Sequence, residues 1–296
     1  MKFLGTGLSG LVGSRVVSLL STHTFVNYSL ESGVDITDRE TIMRRITDDT
    51  EATWVLHFAA YTNVQQAESD KDLGEKSPAW QVNVAATQSI VDACRASGKH
   101  LLYIDTDYAF DGTRDRYTED DPVSPLGWYA KTKSEGAKRV LALDSYGTVI
   151  RISNPYRAHP VGKKDFVHKM MERLSARQEI VAPADQLFVP TFIDDIAGAI
   201  EKLVAVSASG IYHVTGTQAI SPFDAAYAVA ETFGYDAKLV KPVSFAEYFA
   251  GKAPVPQKAV LATDKIRALG VTLHGFNDGI AEVKKQEEQT AGGKTV

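Results

Sequence analysis

The amino-acid sequence predicts an α/β fold, a doubly wound parallel sheet with a smaller C-terminal lobe, on three observations. Short apolar runs rich in β-branched residues alternate with segments of helical periodicity through the first half of the chain. The runs are apolar almost throughout, as strands covered on both faces are, and do not switch between apolar and polar. A glycine-spaced turn, GLSGLVG at residues 7–13, joins the first run to the first helical segment.

Strands are expected over residues 2–6, 24–28, 52–58, 100–105 and 148–152. Helices are expected between them over 11–20, 38–46, 79–96 and 129–143. Thr37 or Asp38 is suited to cap the second helix, and Ser97-Gly98 to stop the third. Beyond residue 153 the pattern loosens. Helices are expected over 165–176, 193–206, 222–233 and 244–249, with short strands near 179–181 and 211–214. This divides the chain into a Rossmann-type NAD(P)-binding domain over residues 1–153, to which segments around 185–215 return, and a mainly substrate-binding lobe over 154–285. The polar end, residues 286–296, reads as a flexible tail.

Composition narrows the class of function. A chain of 296 residues, 44% hydrophobic and 23% charged, is long enough for one large core or two modest ones. No apolar run approaches the roughly 20 residues that span a bilayer. The N-terminus enters a strand pattern at once and lacks the form of a secretory signal. Cys94 is the only cysteine, so an internal disulfide is impossible, and a cytoplasmic protein with Cys94 in a helix core is the expectation. A net charge of −5 without a basic run argues against nucleic acid as a partner. The seven histidines form no metal-type pair, and no metal site is expected.

Three groups of residues carry chemistry. At the first βα turn, Gly7, Gly10 and Gly13 allow a tight backbone, and the amides at the start of the following helix suit a pyrophosphate. The GxxGxxG spacing is that of short-chain dehydrogenases. Downstream, Tyr129 and Lys133 stand four apart and share a helix face. An ammonium beside a phenol lowers its pKa toward the working range, and the same ammonium can hold a nicotinamide ribose. Thr106 ends the fourth predicted strand, where a parallel sheet opens its ligand crevice, and its hydroxyl can polarise a carbonyl. Together they describe a reductase in which Thr106 and Tyr129 hold a carbonyl oxygen and Tyr129 delivers the proton. The segment after the second strand, Asn27-Tyr28-Ser29-Leu30-Glu31, leaves NAD and NADP both open.

With these pieces in order, the chain resembles the dTDP-4-dehydrorhamnose reductase family of extended short-chain dehydrogenases. The matching segments are residues 7–13, Asp35-Ile36-Thr37-Asp38, Ala59-Ala60-Tyr61-Thr62, Ala67-Glu68, Val82-Asn83, TDYAFDG at 106–112, residues 117–119 and 129–133, and Asp185-Gln186 with Pro190-Thr191. The resemblance implies a nucleotide-sugar substrate, a ketone reduced with NADP or NAD (NADPH slightly preferred), and a set of site residues. Gly7, Leu8, Ser9, Gly10, Leu11, Val12 and Gly13 would hold the pyrophosphate, Asp35 and Ile36 would flank the adenine, and Ala59, Ala60 and Thr62 would line the cofactor path. Tyr129 and Lys133 would meet the nicotinamide ribose, and Val64, Thr106, Tyr108, Tyr129 and Asn154 would face the sugar.

Five positions depart from the family pattern: Asp105 replaces its usual Ser, Gln65 an Asp, Asn154 a Trp and Phe188 a Gly, and Arg15 stands where some members carry a Glu used in a magnesium-bridged dimer. The reduction machinery is intact, but the sugar pocket is altered, and a monomer or a homodimer without a bridging metal is expected. Two alternatives stay open. One is another sugar-nucleotide ketoreductase or epimerase, whose Arg-x-x-Asn-x-Tyr run Asn154 resembles. A dehydratase fits less well, since Asp107 is followed by Tyr108 and not by Glu. The other is a non-catalytic cofactor-binding subunit resembling the regulatory subunit of methionine adenosyltransferase, which docks on a partner enzyme.

Overall fold

The computed structural model of the chain describes residues 1–291. Six parallel strands form the main sheet: β1 (Lys2–Thr6), β2 (Thr24–Tyr28), β3 (Trp54–His57), β4 (His100–Thr106), β5 (Gly147–Ile152) and, later in the chain, β8 (Gly210–His213). Their spatial order is β2-β1-β3-β4-β5-β8. The order reverses at β1, so the crevice between the carboxyl ends of β1 and β3 is the topological switch point where such sheets take ligands.

The apolar strands are buried on both faces, and successive residues serve opposite layers. Phe3, Trp54, Leu56, Leu102 and Ile150 pack with Val16 of α1 (Leu11–Leu19) and Ile196 and Ile200 of α8 (Ile193–Ala205). Leu4, Val55, Leu101, Tyr103 and Val149 pack on the other side, against α2 (Arg39–Thr47), α5 (Thr87–Ser97) and α6 (Trp128–Leu141). Cys94 lies buried in that second layer, as its sequence position suggested. The cap of α2 is Asp38, whose side chain accepts from the Thr41 amide.

Two features between β3 and α5 escaped the sequence. Residues 64–69 form a short helix, α3 (Val64–Ser69). The single helix expected over 79–96 is a composite, in which α4 (Pro78–Trp80) runs through a π-helical turn, Gln81–Ala86, into α5. A single π turn is too short to show as a period of its own in the hydrophobic spacing.

The lobe has its own core of Tyr156, Val167, Leu174, Phe188, Val229, Phe276 and Ile280. It is built from α7 (Phe166–Ser175), β6 (Ile180–Pro183), β7 (Leu187–Phe188), α9 (Pro222–Phe233), β9 (Val240–Val243), α10 (Phe245–Tyr248), β10 (Lys258–Ala259) and α12 (Phe276–Ala291), whereas α11 (Asp264–Ala268) returns to the main sheet and buries Ile266 in the layer of α1 and α8. β6 pairs with β9 and β7 with β10, both parallel.

The expected tail needs correction over residues 286–291, which continue α12; residues 292–296 lie outside the described part. Side chains hold the end of this helix down. Gln286 accepts from Arg15 at 2.8 Å and donates to Asp194 at 3.1 Å, and Glu287 pairs with His168 at 2.7 Å. Arg15 itself forks onto Asp194 at 2.7 and 2.6 Å. The polar composition read as disorder is therefore the solvent-side dress of a docked helix. Among the described residues no helix is long and apolar enough to cross a membrane.

His168 ties α7 to α12 through two carboxylates, Asp165 at 2.9 Å and Glu287 at 2.7 Å. Partial burial pulls its pKa down, but the two carboxylates outweigh this and raise it to about 9. In an unfolded chain it titrates near 6.5. The folded state thus keeps a proton that the unfolded state releases, and the stability this contributes is full below about pH 6.5 and is lost as pH rises through about 9. The stability difference between the wild type and His168→Ala, measured by urea denaturation, should shrink steadily across that window. A difference that stays constant from pH 6 to pH 10 would refute the ion-pair role.

Candidate active site

The glycine turn follows β1 directly. Gly7 has φ +69°, and a Cβ there would stand 2.5 Å from the Ala59 amide, so only glycine lets the loop lie against the end of β3. A Cβ on Gly13 would meet the Gly7 carbonyl oxygen and Leu8 Cα, each at 2.5 Å, so α1 sits on the turn with no room between. Gly10 is the N-cap of α1 and brings no capping side chain, and no acidic residue occupies the first turn. The amides of Leu11, Val12 and Gly13 then have no intrahelical acceptor. This arrangement fits the pyrophosphate of a dinucleotide.

Two of the seven expected pyrophosphate residues serve differently. Leu8 buries its side chain in the core and gives its amide to Asn27 Oδ1 at 3.1 Å, while the Gly10 amide closes the turn onto the Gly7 carbonyl at 3.1 Å. Ser9 is exposed at the tip. Asp35 is exposed and accepts from the Thr37 amide and hydroxyl at 2.8 and 2.7 Å, a local turn that presents Ile36 half-buried beside it. Ala59 and Ala60 line the exit of β3, and Thr62 is exposed beyond them.

A buried polar chain crosses beneath this crevice. Thr6 Oγ1 bonds His57 Nδ1 at 2.7 Å, His57 Nε2 bonds Thr87 Oγ1 at 2.9 Å, and Thr87 donates to the Asn83 carbonyl at 2.8 Å. Thr87 has one proton and gives it to Asn83, so His57 donates from Nε2 and accepts at Nδ1. Burial brings the His57 pKa down to about 3, keeping the ring neutral. Asn83 exchanges bonds with both backbone groups of Tyr61 and donates to Thr132 Oγ1 at 3.0 Å, and Thr132 donates to the Tyr129 carbonyl at 2.8 Å.

Thr106, Tyr129 and Lys133 come together at the carboxyl end of β4. Thr106 is 9% exposed and caps the turn Asp107–Ala109 by accepting from the Tyr108 amide. Tyr129 lies in the first turn of α6 and meets Tyr108 edge to face at 6.1 Å. Lys133 is buried, and its Nζ donates to the Ile104 carbonyl at 2.6 Å and stands 3.9 Å over the Tyr103 ring.

The electrostatics differ from the sequence expectation. Burial, and then the Asp105 charge, raise the Tyr129 pKa, with a smaller opposing effect from the Thr106 hydroxyl. Lys133, turned onto a carbonyl, does not draw it down, and burial lowers the Lys133 pKa to about 8 against the pull of Asp105. Tyr129 therefore keeps its proton at neutral pH, which suits a donor to a developing alkoxide.

Asp105 pairs with Arg151 at 3.2 Å, both side chains fully enclosed, and Arg151 in turn faces His213 at 3.5 Å. Beside Thr106, a cavity of about 300 Å³ opens toward the lobe. Asp107, Tyr108 and Asn154 form its floor, α7 contributes Phe166, Lys169, Met170 and Arg173, and Phe188, Tyr248 and Phe249 close the far side. Asn154 holds φ +39° at this floor. Val64 opens α3 outside the cavity lining.

Residues not singled out from sequence hold Tyr129 in place. α6 has no side-chain cap of its own, since its N-cap is Gly127, and Glu68 of α3 accepts from the Trp128 amide at 2.9 Å instead. Trp128 Nε1 donates to Ser77 at 2.9 Å, and its ring stacks on Trp80. Gln65 accepts from the Ala253 amide at 3.0 Å and anchors the other side of α3. The sequence signals were the Ala67-Glu68 and Val82-Asn83 matches and the departure at Gln65, none of which named a positioning role. Loss of the cap in Glu68→Ala should cost about 1 kcal/mol of stability. It should also lower kcat, by up to roughly 10²-fold, through misplacement of Tyr129, with cofactor affinity little changed. An unaltered kcat with the stability loss present would show that Glu68 does not position Tyr129.

The chain matches the RmlD substrate binding domain over residues 1–289. It is 32% identical over 274 residues to the dTDP-4-keto-6-deoxy-D-glucose reductase of Streptomyces niveus, covering 92% of each chain. It is 30% identical over 302 residues to the dTDP-4-dehydrorhamnose reductase of Aggregatibacter actinomycetemcomitans, covering 97% of this chain and 99% of that one. Among solved structures, the dTDP-4-dehydrorhamnose reductase of Bacillus anthracis in complex with NADP superposes with a TM-score of 0.87 at 27% identity, covering 96% of this chain and 99% of that one.

Proposed function

Because the chain belongs to the RmlD substrate binding domain family, the dTDP-4-dehydrorhamnose reductases, we propose that it reduces the 4-keto group of a dTDP-bound 6-deoxysugar, with dTDP-4-dehydro-L-rhamnose as substrate and dTDP-L-rhamnose as product. The observation that carries this reading is the continuity of the cavity with the Thr106–Tyr129 corner: Asp107 and Tyr108 belong to both. A sugar lying on that floor has its carbonyl beside the two hydroxyls. Lys169 and Arg173, one turn apart on α7, suit a diphosphate, and Tyr248 and Phe249 offer aromatic faces to a base.

Reduced nicotinamide, NADPH in preference to NADH, supplies the hydride when bound; the NADP of the Bacillus anthracis relative supports that order. The α1 amides hold the pyrophosphate and Lys133 the ribose. Thr106 and Tyr129 hold the carbonyl oxygen, and Tyr129 protonates it. Asn154 and Phe188 shape the pocket that selects the sugar.

Purified protein given NADPH and dTDP-4-dehydro-L-rhamnose should oxidise the cofactor stoichiometrically and yield a rhamnose-configured product. Turnover of dTDP-4-keto-6-deoxy-D-glucose alone would overturn the rhamnose assignment. Tyr129→Phe should slow the reaction about 10²–10⁴-fold, the range for loss of a general acid, with little change in cofactor binding. Undiminished turnover in that variant would sink the assignment of the proton to Tyr129.

A further inference from the structure

The Thr106 hydroxyl carries one proton, and the structure shows where it goes. Oγ1 donates to Asp107 Oδ1 at 3.1 Å and accepts from the Tyr108 amide at 3.3 Å. On the other oxygen, Asp107 Oδ2 accepts from Ser153 Oγ at 2.6 Å. Asp107 is 2% exposed, yet lines the cavity. With Asp107 ionised, both hydroxyls turn their protons toward it, and Thr106 has none left for a substrate carbonyl.

We propose that Asp107 works as a neutral carboxylic acid whose proton is donated to Thr106 Oγ1, so that the Thr106 hydroxyl points into the cavity at the carbonyl oxygen. This rests on the ketoreductase reading above. No proton leaves Asp107 or Thr106 in the reaction: the hydrogen that ends on the carbinol oxygen is that of Tyr129, and the hydride comes from the reduced nicotinamide. Asp107 is thus a positioning residue acting through Thr106.

The surroundings favour the neutral form. Burial, opposed by the Ser153 and Thr106 hydrogen bonds and reinforced by the Asp105 charge, pushes the Asp107 pKa up to about 6. The titratable groups around it are Asp105 and Tyr108 on its own strand and turn, Tyr129 and Lys133 on α6, and Arg151 on β5, whose charge is paired with Asp105. Lys169 and Arg173 of α7 line the same cavity and favour the ionised form until a substrate diphosphate takes up their charge. A bound sugar displaces water from the floor and shifts the balance further toward the acid.

The test is the pH profile of kcat/KM for keto-sugar reduction, which reports ionisations of the free enzyme. In the wild type, kcat/KM should fall by about tenfold per pH unit once Asp107 ionises, well below the range of Tyr129. That limb should vanish in Asp107→Asn, whose amide donates at every pH, and in Thr106→Ala, which removes the group Asp107 acts on. Asp107→Asn should also exceed Asp107→Ala at every pH, since only Asn can donate to Thr106. The same limb in the wild type and in Asp107→Asn, or equal rates in the Asn and Ala variants, overturns the proposal while leaving the ketoreductase reading intact.

A second measurement needs no turnover. Infrared difference spectra of the wild type against Asp107→Asn should show a protonated carboxyl band titrating near neutrality. Its absence above pH 5 overturns the proposal even if no keto sugar is reduced, and its presence supports it in that case as well.

Discussion

The structure depends most on the buried hydrogen-bond chain from Thr6 through His57, Thr87, Asn83 and Thr132 to the Tyr129 carbonyl. It links the end of β1, where the glycine turn begins, to the first turn of α6. Each member is nearly or fully enclosed, so each bond must be made: an unmade one leaves a polar group desolvated at a cost of about 1–3 kcal/mol. Because every hydroxyl has one proton to give, the donors run in a single direction from β1 to α6. The cofactor turn and the tyrosine, 122 positions apart in sequence between Gly7 and Tyr129, are thereby held in one rigid frame.

Around that frame the two parts of the chain are tied by charge. Arg15 of α1 meets Asp194 of α8 and Gln286 of α12, while Arg157 reaches Ser14 and the Leu11 carbonyl at the start of α1. These contacts tie α12 and the segment around Arg157 to α1. Arg15 is committed within its own chain.

Two enclosed carboxylates flank Thr106. Asp105 pairs with Arg151, yet its charge still acts on Tyr129 and Lys133, while Asp107 takes the hydroxyls of Thr106 and Ser153. Burial, reinforced by the Asp105 charge, is why the phenol holds its proton, and burial makes the lysine less basic than usual although the Asp105 charge pulls the other way. The departures from the family pattern at Asp105, Asn154 and Phe188 converge here. The first sets the field under the acid–base pair, and the others line the cavity.

The sequence by itself determined the sheet, because strands buried on both faces are apolar without interruption, and the glycine turn, because Gly7 and Gly13 leave no space for a side chain. It located Thr106 at the end of β4 and Tyr129 and Lys133 in α6, since helical spacing puts those two on one face. It did not show α3, the π turn or the docking of α12, whose signals are short or polar. Only the tertiary structure decided that Lys133 turns to Ile104 and leaves Tyr129 to the field of Asp105, that the Leu8 amide is taken by Asn27, and that Glu68 caps α6. Each of these rests on a partner distant in sequence, and a hydrogen bond's direction follows from which groups the fold brings within 3 Å, which spacing along one chain does not encode.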